Sequence, residues 1–563
     1  MQGQSTIIGQ RKQIIKEAIA EAVTVAKEQG LLSFANCPDF TVEVPREASH
    51  GDFSTNAAMM LAKACKKAPR DIASIIIDKF PTQKLVAKIE VAGPGFINFY
   101  LHDYWLNDCL KEILSEGENY GRSDFGQGKK VQVEFVSANP TGELHMGNAR
   151  GAAIGDTLAS LLTLAGYEVQ REFYINDAGN QIEKFGLSLE ARYFQALGED
   201  MPFPEDGYHG QDIIDTVQAL VDQEGDKYKN MDASLRRELL TNYALAKKIA
   251  SIKETLADFG VHYDVWFSEQ SLHDSGAITD IIQKLQDSDY LYEKEGALWF
   301  DCRRLGQDKD EVLVRSNGVP TYFAADIAYH NNKFERGFDQ VINIWGADHH
   351  GHVARMKEAM NALGYEPQRL HVILMQLVRL YQGGEILRMS KRTGTYVTLA
   401  ELMEDIGKDA ARFFFVMRSA DSQMDFDLDL AKKQSSDNPV YYVQYAYARI
   451  CSMMAAAEKE GYEEKPVASC DLRLLRHASE LALIRHMADF PDEIIYAAEN
   501  YEPHRLAGYV QEVASLFHNF YSHCRVLDED KELAASRIWL AKGVATIIKT
   551  SLEAMGVTAP EKM

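Results

Sequence analysis

His145-Met146-Gly147-Asn148 stands after a strand-like run, Val131 to Val136, and a strand breaker, Asn139-Pro140-Thr141-Gly142. From Gly147 the pattern predicts a helix of small residues (Ala149, Gly151, Ala152, Ala153, Ile154) that ends near Gly166. A polyanion at such a helix start meets unpaired N–H groups and the positive end of the helix dipole. His145 can donate to a phosphate there, and Gly147 has no side chain to hold a flat base off the backbone. That is the chemistry of an ATP site. The tetrapeptide alone is common by chance; its strand-turn-helix setting carries the reading.

Three further groups carry chemistry. Gly346-Ala347-Asp348-His349-His350-Gly351-His352 follows the apolar strand Val341–Trp345. Open α/β sheets bind ligands at such strand ends, where Asp348 can accept from ribose hydroxyls. The same histidines are possible zinc ligands, but adjacent residues on a strand or tight turn point apart and no E-x-x-H partner follows. A solvated turn is the bland alternative. The second group runs from Gln382 to Thr395, a Gly-Gly hairpin leading into a basic loop with Arg388 and Lys391. Either cation can reach a triphosphate and neutralise a departing pyrophosphate; the alternative is a solvated charged loop. The third is a pair of carboxylates among apolar neighbours, Glu134 and Asp326. Each needs a cation, because an unpaired buried charge is costly. An internal Arg or Lys serves, and so does a cationic substrate, whose guanidinium would match a carboxylate in bidentate geometry.

Elements alternating as strand and helix from 131 to about 430 predict a parallel sheet that positions these groups. Further strands are expected at Glu168–Tyr174, Val341–Trp345 and His371–Val378, with a long insertion over roughly 180 to 330 that holds charged helices (Ser234–Asp258) and a hairpin-like stretch from Leu298 to Tyr322. Before it, residues 1 to 113 read as an α+β module, and Gly117–Lys130 as a linker. From 436 onward the pattern is helical throughout.

At 563 residues the chain exceeds what one core supports, so several domains are expected. Its hydrophobic share of 46% and charged share of 25% are those of a soluble globular protein. No apolar run approaches the ~20 residues that span a bilayer, and the N-terminus lacks the apolar core of a signal peptide. Seven dispersed cysteines without a C-x-x-C pair read as reduced thiols in a cytosolic protein. A formal net charge of −23 argues against nonspecific nucleic-acid binding and says nothing of a specific RNA.

His145-Met146-Gly147-Asn148 resembles the HIGH signature of class I aminoacyl-tRNA synthetases, and Arg388-Met389-Ser390-Lys391-Arg392 their KMSKS loop. Glu134 to Gly142, Asn176-Asp177-Ala178-Gly179-Asn180-Gln181 and Gly346 to Gly351 narrow the resemblance to arginyl-tRNA synthetases. Gly51-Asp52-Phe53-Ser54-Thr55-Asn56 and Gly93-Pro94-Gly95-Phe96 resemble that family's N-terminal domain. The resemblance implies a Rossmann-like α/β catalytic domain over 114–435 with its insertion. An N-terminal α+β domain at 1–113 would touch the tRNA elbow, and an all-α bundle at 436–563 the anticodon. It implies ligation of L-arginine to its tRNA through an arginyl-adenylate, with ATP and Mg2+ brought in together and no protein-held metal. Glu134, Tyr322 and Asp326 would hold the guanidinium, and Asn139 the amino end, with His349 also on the arginine side. His145, Gly147 and Asn148 would line the ATP phosphates and adenine, Gly346 and Asp348 the ribose, and Arg388 and Lys391 the triphosphate. His145, Asn148 and Lys391 are the expected catalytic residues. Two positions depart from the family pattern. Asn148 replaces the usual second His and cannot carry charge. Arg388 replaces the usual first Lys, which leaves Lys391 as the principal cation. The expected partners are tRNA, arginine and ATP, without DNA or membrane, for a cytoplasmic monomer. The competing readings are a small-molecule nucleotidyltransferase, a histidine-cluster metalloenzyme and a non-catalytic tRNA-binding relative.

Overall fold

Val131, Gln132 and Val133 are fully buried and Glu134 nearly so, as befits a strand covered on both faces. In the computed structural model, which describes residues 6–45, 47–387, 397–462 and 465–563, this strand is the centre of a five-stranded sheet. Its strands in chain order are β1 (Lys130–Glu134), β2 (Glu168–Ile175), β3 (Val265–Ser268), β4 (Gln340–Gly346) and β5 (Leu370–Met375). They lie side by side in the order β5-β4-β1-β2-β3, all parallel. The chain therefore winds outward from β1 through β2 to β3, then crosses to β4 on the other side. Between β1 and β4 lies the switch point, where such sheets open a crevice at their carboxyl ends.

Helix α1 (Met146–Leu164) follows β1, and α2 (Tyr322–Glu335) and α3 (His350–Ala362) flank β4. The small residues of α1 let it lie against the sheet: a Cβ on Gly155 would come 2.2 Å from Phe135 Cγ. The helices Asn180–Ala196, Gln211–Glu224 and Ala233–Asp258 pack on a core of their own that includes Phe185, Tyr193 and Leu240. Beyond them, Leu291–Lys294, Ala297–Phe300 and Glu311–Val314 form a small antiparallel sheet.

Before the sheet, helices Ile7–Glu28, Ala57–Cys65 and Pro69–Lys79 pack on a four-stranded antiparallel sheet. After it come the helices Pro439–Lys459, Ala478–Ala488, Phe490–Glu499, His504–His523 and Lys531–Ala554. One continuous core joins both regions to the α1 face of the sheet, from Ile7 through Leu158 to Val557. Among the described residues no helix is long and apolar enough to cross a membrane, and the seven cysteines are all free.

Four local expectations are corrected. Gly117–Lys130 is not a loose linker: Tyr120 is buried, its hydroxyl donates to the Met487 carbonyl at 3.1 Å, and its ring stacks on Phe490. The strand expected over His371–Val378 stops at Met375, because Val378–Gln382 leaves to pair with Met424–Asp427. Tyr322 begins α2 instead of closing a hairpin. The short strand β3, inside the stretch read as insertion, returns to the central sheet beside β2.

Candidate active site

At the carboxyl ends of β1 and β4 lies a cleft of about 2200 Å³. After β1 the chain turns abruptly, with positive φ at Val136 (69°) and Ser137 (41°). For a β-branched valine this is a strained conformation, held here by the surrounding packing. The turn lets Ser137 Oγ donate to Glu134 Oε1 at 2.8 Å and carries the chain along the cleft towards α1.

His145 caps α1. Its Nδ1 accepts from the Gly147 N–H at 3.1 Å, while Asn148 Oδ1 accepts from the His145 N–H at 3.0 Å. This reciprocal cap locks both side chains, and with Nδ1 accepting, the ring proton sits on Nε2. His145 and Asn148 line the cleft and Gly147 lies just behind, where an added Cβ would meet only the His145 ring. The Leu399 N–H donates to the Leu144 carbonyl, and Thr398 and Glu401 reach the cleft wall. The chain thus re-enters beside His145 immediately after the basic loop. Arg388 and Lys391 lie outside the described residues.

On the β4 side, Gly346, Asp348 and His349 line the cleft, with Asp348 and His349 well exposed. His352 Nε2 stands 3.0 Å from Asp326 Oδ2, and its ring packs at a tilt against Trp345 and Tyr322. Asp326 projects from the first turns of α2 and Tyr322 from its start, the latter 66% exposed. Across the cleft, Asn139 Nδ2 donates to Gln181 Oε1 at 2.8 Å. The structure brings Glu134, Asn139, His145, Asn148, Tyr322, Asp326, Gly346, Asp348 and His349 into one cavity. Glu134 already has a cation: Lys333 Nζ is 2.6 Å from its Oε2. The internal-lysine alternative holds for that carboxylate. Among the described residues no group of three or more His, Cys, Asp or Glu is placed to hold a metal ion.

Sequence reasoning missed Glu269, just past β3. It lines the cleft with Asp326, and burial, assisted by the charges of Asp326 and of Asp177 beside it, pushes its carboxyl up to about 7, against the lowering pull of Tyr174. The signal was slight, a lone acid after Val265-Trp266-Phe267-Ser268. Glu269 and Asp326 make this end of the cleft acidic, and the α1 N-terminus makes the other end attractive to anions. The cavity suits a cation and a polyphosphate side by side.

This parallel sheet, with its capped histidine at one side of the switch point and the Gly346–Asp348 turn at the other, defines a class I aminoacyl-tRNA synthetase catalytic domain. Residues 109–425 match the family described as "tRNA synthetases class I (R), catalytic domain", residues 10–101 the arginyl tRNA synthetase N terminal domain, and residues 443–563 the DALR anticodon binding domain. The chain is 60% identical over 553 residues to an arginine–tRNA ligase of Heliobacterium modesticaldum, covering 98% of each chain. It is 58% identical to that of Moorella thermoacetica, covering 99% of this chain and 100% of the relative. The Thermus thermophilus arginyl-tRNA synthetase structure shares the fold, with a TM-score of 0.74 at 24% identity over 98% of this chain and 100% of that one. The chain belongs to the arginyl-tRNA synthetase family.

Proposed function

We propose that the cleft binds arginine at its acidic end and ATP along the α1 N-terminus, and that the chain ligates arginine to its tRNA through an arginyl-adenylate. The arginine carboxylate attacks the α-phosphorus in line and expels pyrophosphate; the terminal adenosine hydroxyl of the tRNA then attacks the adenylate. Positioning and charge stabilisation supply the rate. Asp326, Glu134 and Tyr322 hold the guanidinium, Asn139 the amino end, and His349 closes the arginine side. His145 Nε2, Gly147 and Asn148 meet the phosphates and adenine, Gly346 and Asp348 the ribose. Arg388 and Lys391, which precede Thr398 in sequence, neutralise the triphosphate. Magnesium is read as arriving on the nucleotide, where it offsets phosphate charge.

The observation that carries this reading is the opposition of a carboxylate cluster, Asp326 with Glu269, to a capped helix N-terminus within one cavity. A nucleotidyltransferase would need only the second half.

We divide the chain into a tRNA-elbow domain (1–113), the catalytic domain (114–435) and an anticodon-binding bundle (436–563). Support for the last comes from exposed aromatics around a cation. Arg449 Nη2 donates to the Tyr445 hydroxyl at 2.6 Å, its guanidinium lies 5.0 Å from the Tyr521 ring, and Tyr445 stacks on Tyr441. Splayed RNA bases stack on surfaces of this kind. We read the chain as a monomer. A cytoplasmic setting without DNA or membrane partners completes the reading.

Pyrophosphate exchange with arginine, ATP and magnesium, run with and without total tRNA, tests it; lysine and glutamine are the controls. Exchange specific to arginine is expected, with its dependence on tRNA read from the same assay. Folded protein that exchanges with no amino acid in either condition would return the nucleotidyltransferase and the binding-module readings.

A further inference from the structure

Beneath the cleft wall a buried polar chain connects β1 to α2. Lys333 Nζ donates to Glu134 Oε2 at 2.6 Å and to Asn343 Oδ1 at 2.8 Å. With its oxygen thus engaged, the Asn343 amide nitrogen faces His330 Nε2 at 2.6 Å, and His330 Nδ1 lies 2.7 Å from the Asp326 carbonyl. Every role then follows. Asn343 donates to Nε2, so the His330 proton is on Nδ1 and goes to Asp326. A neutral ring is required, and burial together with the Lys333 charge holds the His330 pKa well below its usual range. The lysine side chain is fully buried and lines no part of the cleft, whereas Glu134, His330 and Asp326 do. The other charged groups beside it are matched: Glu172 pairs with Arg336 and accepts from the Tyr329 hydroxyl.

We infer that Lys333 is a positioning residue for arginine recognition, holding the Glu134 carboxylate aimed so that its acceptors face the guanidinium. The inference rests on the reading of the acidic end as the arginine site. A guanidinium has five N–H donors and no acceptor. A carboxylate presents acceptors alone, and one whose buried ion-pair partner is removed loses its fixed aim. Lys333 and Ser137 each engage one carboxylate oxygen and leave further lone pairs towards the cleft. Because Lys333 already balances the Glu134 charge, the charge of the bound cation answers to Asp326 and Glu269. Glu134 then reads hydrogen-bond geometry.

The test is a double-mutant cycle on the full chain in the aminoacylation assay. Lys333→Met is expected to raise the arginine KM about tenfold, with the ATP KM changed by less than about twofold. In an E134Q background the same substitution is expected to change the arginine KM by less than about twofold, since no carboxylate remains to be held. Should Lys333→Met not fold, Asn343→Leu, which removes the second acceptor of Lys333 together with the donor to His330 Nε2, carries the same cycle with a rise of about threefold. An unchanged arginine KM, an equal rise in the ATP KM, or the same rise with and without Glu134 overturns the inference. Asp326→Ala separates the two levels: it is expected to raise the arginine KM about a hundredfold. If it does so while Lys333→Met does nothing, only the role of Lys333 fails. If neither moves the arginine KM, the arginine site itself is misplaced.

Discussion

Glu269 makes the cleft sensitive to pH in a direction that can be worked out. Its carboxyl, ordinarily near 4.5, stands at about 7 because burial and the neighbouring Asp326 and Asp177 oppose its charge. His273 Nε2, 3.9 Å away, is the nearest basic group on its own helix. A bound guanidinium reverses the balance by favouring the carboxylate. Arginine therefore displaces a proton whenever the pH lies below about 7, and its binding strengthens as pH rises through that value. In the ligand-free fold the sign is opposite. A carboxyl raised above its unfolded value contributes stability at low pH and loses it as pH rises from 4.5 towards 7. The expected outcome is an arginine KM that falls between about pH 6 and about pH 8, by at most tenfold per unit, while Glu269→Gln flattens the slope. Measuring the arginine KM across that range for both proteins decides it, and a native enzyme with a flat profile would remove the proton from the binding step.

At the scale of elements, the site depends on how closely α1 lies on β1. Gly155 faces the fully buried Phe135 ring, with an added Cβ 2.2 to 2.6 Å from three of its atoms. Gly155→Ala must push the ring or the helix, at about 1–3 kcal/mol. Because His145 caps the same helix, the shift should reach the phosphate end of the cleft. Urea denaturation should register the lost stability, and turnover should fall several-fold with the arginine KM unmoved. The helix was legible in the sequence through its small residues, as were β1 and β4 through their apolar residues. Strand β3 was not: Val265–Ser268 is four residues long, half-buried throughout, with no alternation to mark a face. Gly117–Lys130 was read as a linker from its composition, because the groups that bury Tyr120 lie far along the chain at Met487 and Phe490. The same distance hid Lys333, whose partner Glu134 is 199 residues upstream. Asp326, His330 and Lys333 do fall at i, i+4 and i+7, one face of a helix, a spacing that would have pointed to the buried chain. The strained turn at Val136 left no mark in residue type, since packing and the hydrogen bonds of Ser137 to Glu134, Phe135 and Tyr174 hold it.

The whole molecule is tied together at Arg412, a fully buried side chain that reaches three regions at once. Its Nη2 pairs with Asp156 of α1 at 2.6 Å, its Nη1 donates to the Phe259 carbonyl at the end of Ala233–Asp258, and its Nε donates to Met555, the last turn of the C-terminal bundle. Gly556, with φ of +66°, is required there, because a Cβ would fall 2.4 Å from Arg412 Cζ. An ion pair across the same boundary, Lys549 with Glu118, lies at the surface, the two side chains 36% and 80% exposed. The physics of the two kinds of pair differs. An exposed pair is screened and contributes about 0–1 kcal/mol, so Lys549→Ala should hardly move the denaturation midpoint. Removing Arg412 leaves Asp156, already shared with Arg171 at 2.9 Å, without one of its cations, and two buried carbonyls without donors. Arg412→Leu should therefore cost about 3–5 kcal/mol. Urea unfolding of the full chain, followed by tryptophan fluorescence and by far-ultraviolet circular dichroism, reads both variants. Since one apolar core runs from Ile7 to Val557, the two probes should fall together in the native protein and separate in Arg412→Leu, where the bundle is free to loosen from α1 before the sheet unfolds. Equal losses in Arg412→Leu and Lys549→Ala would mean that the shared apolar core, and not this arginine, joins the anticodon-binding region to the helix that carries His145.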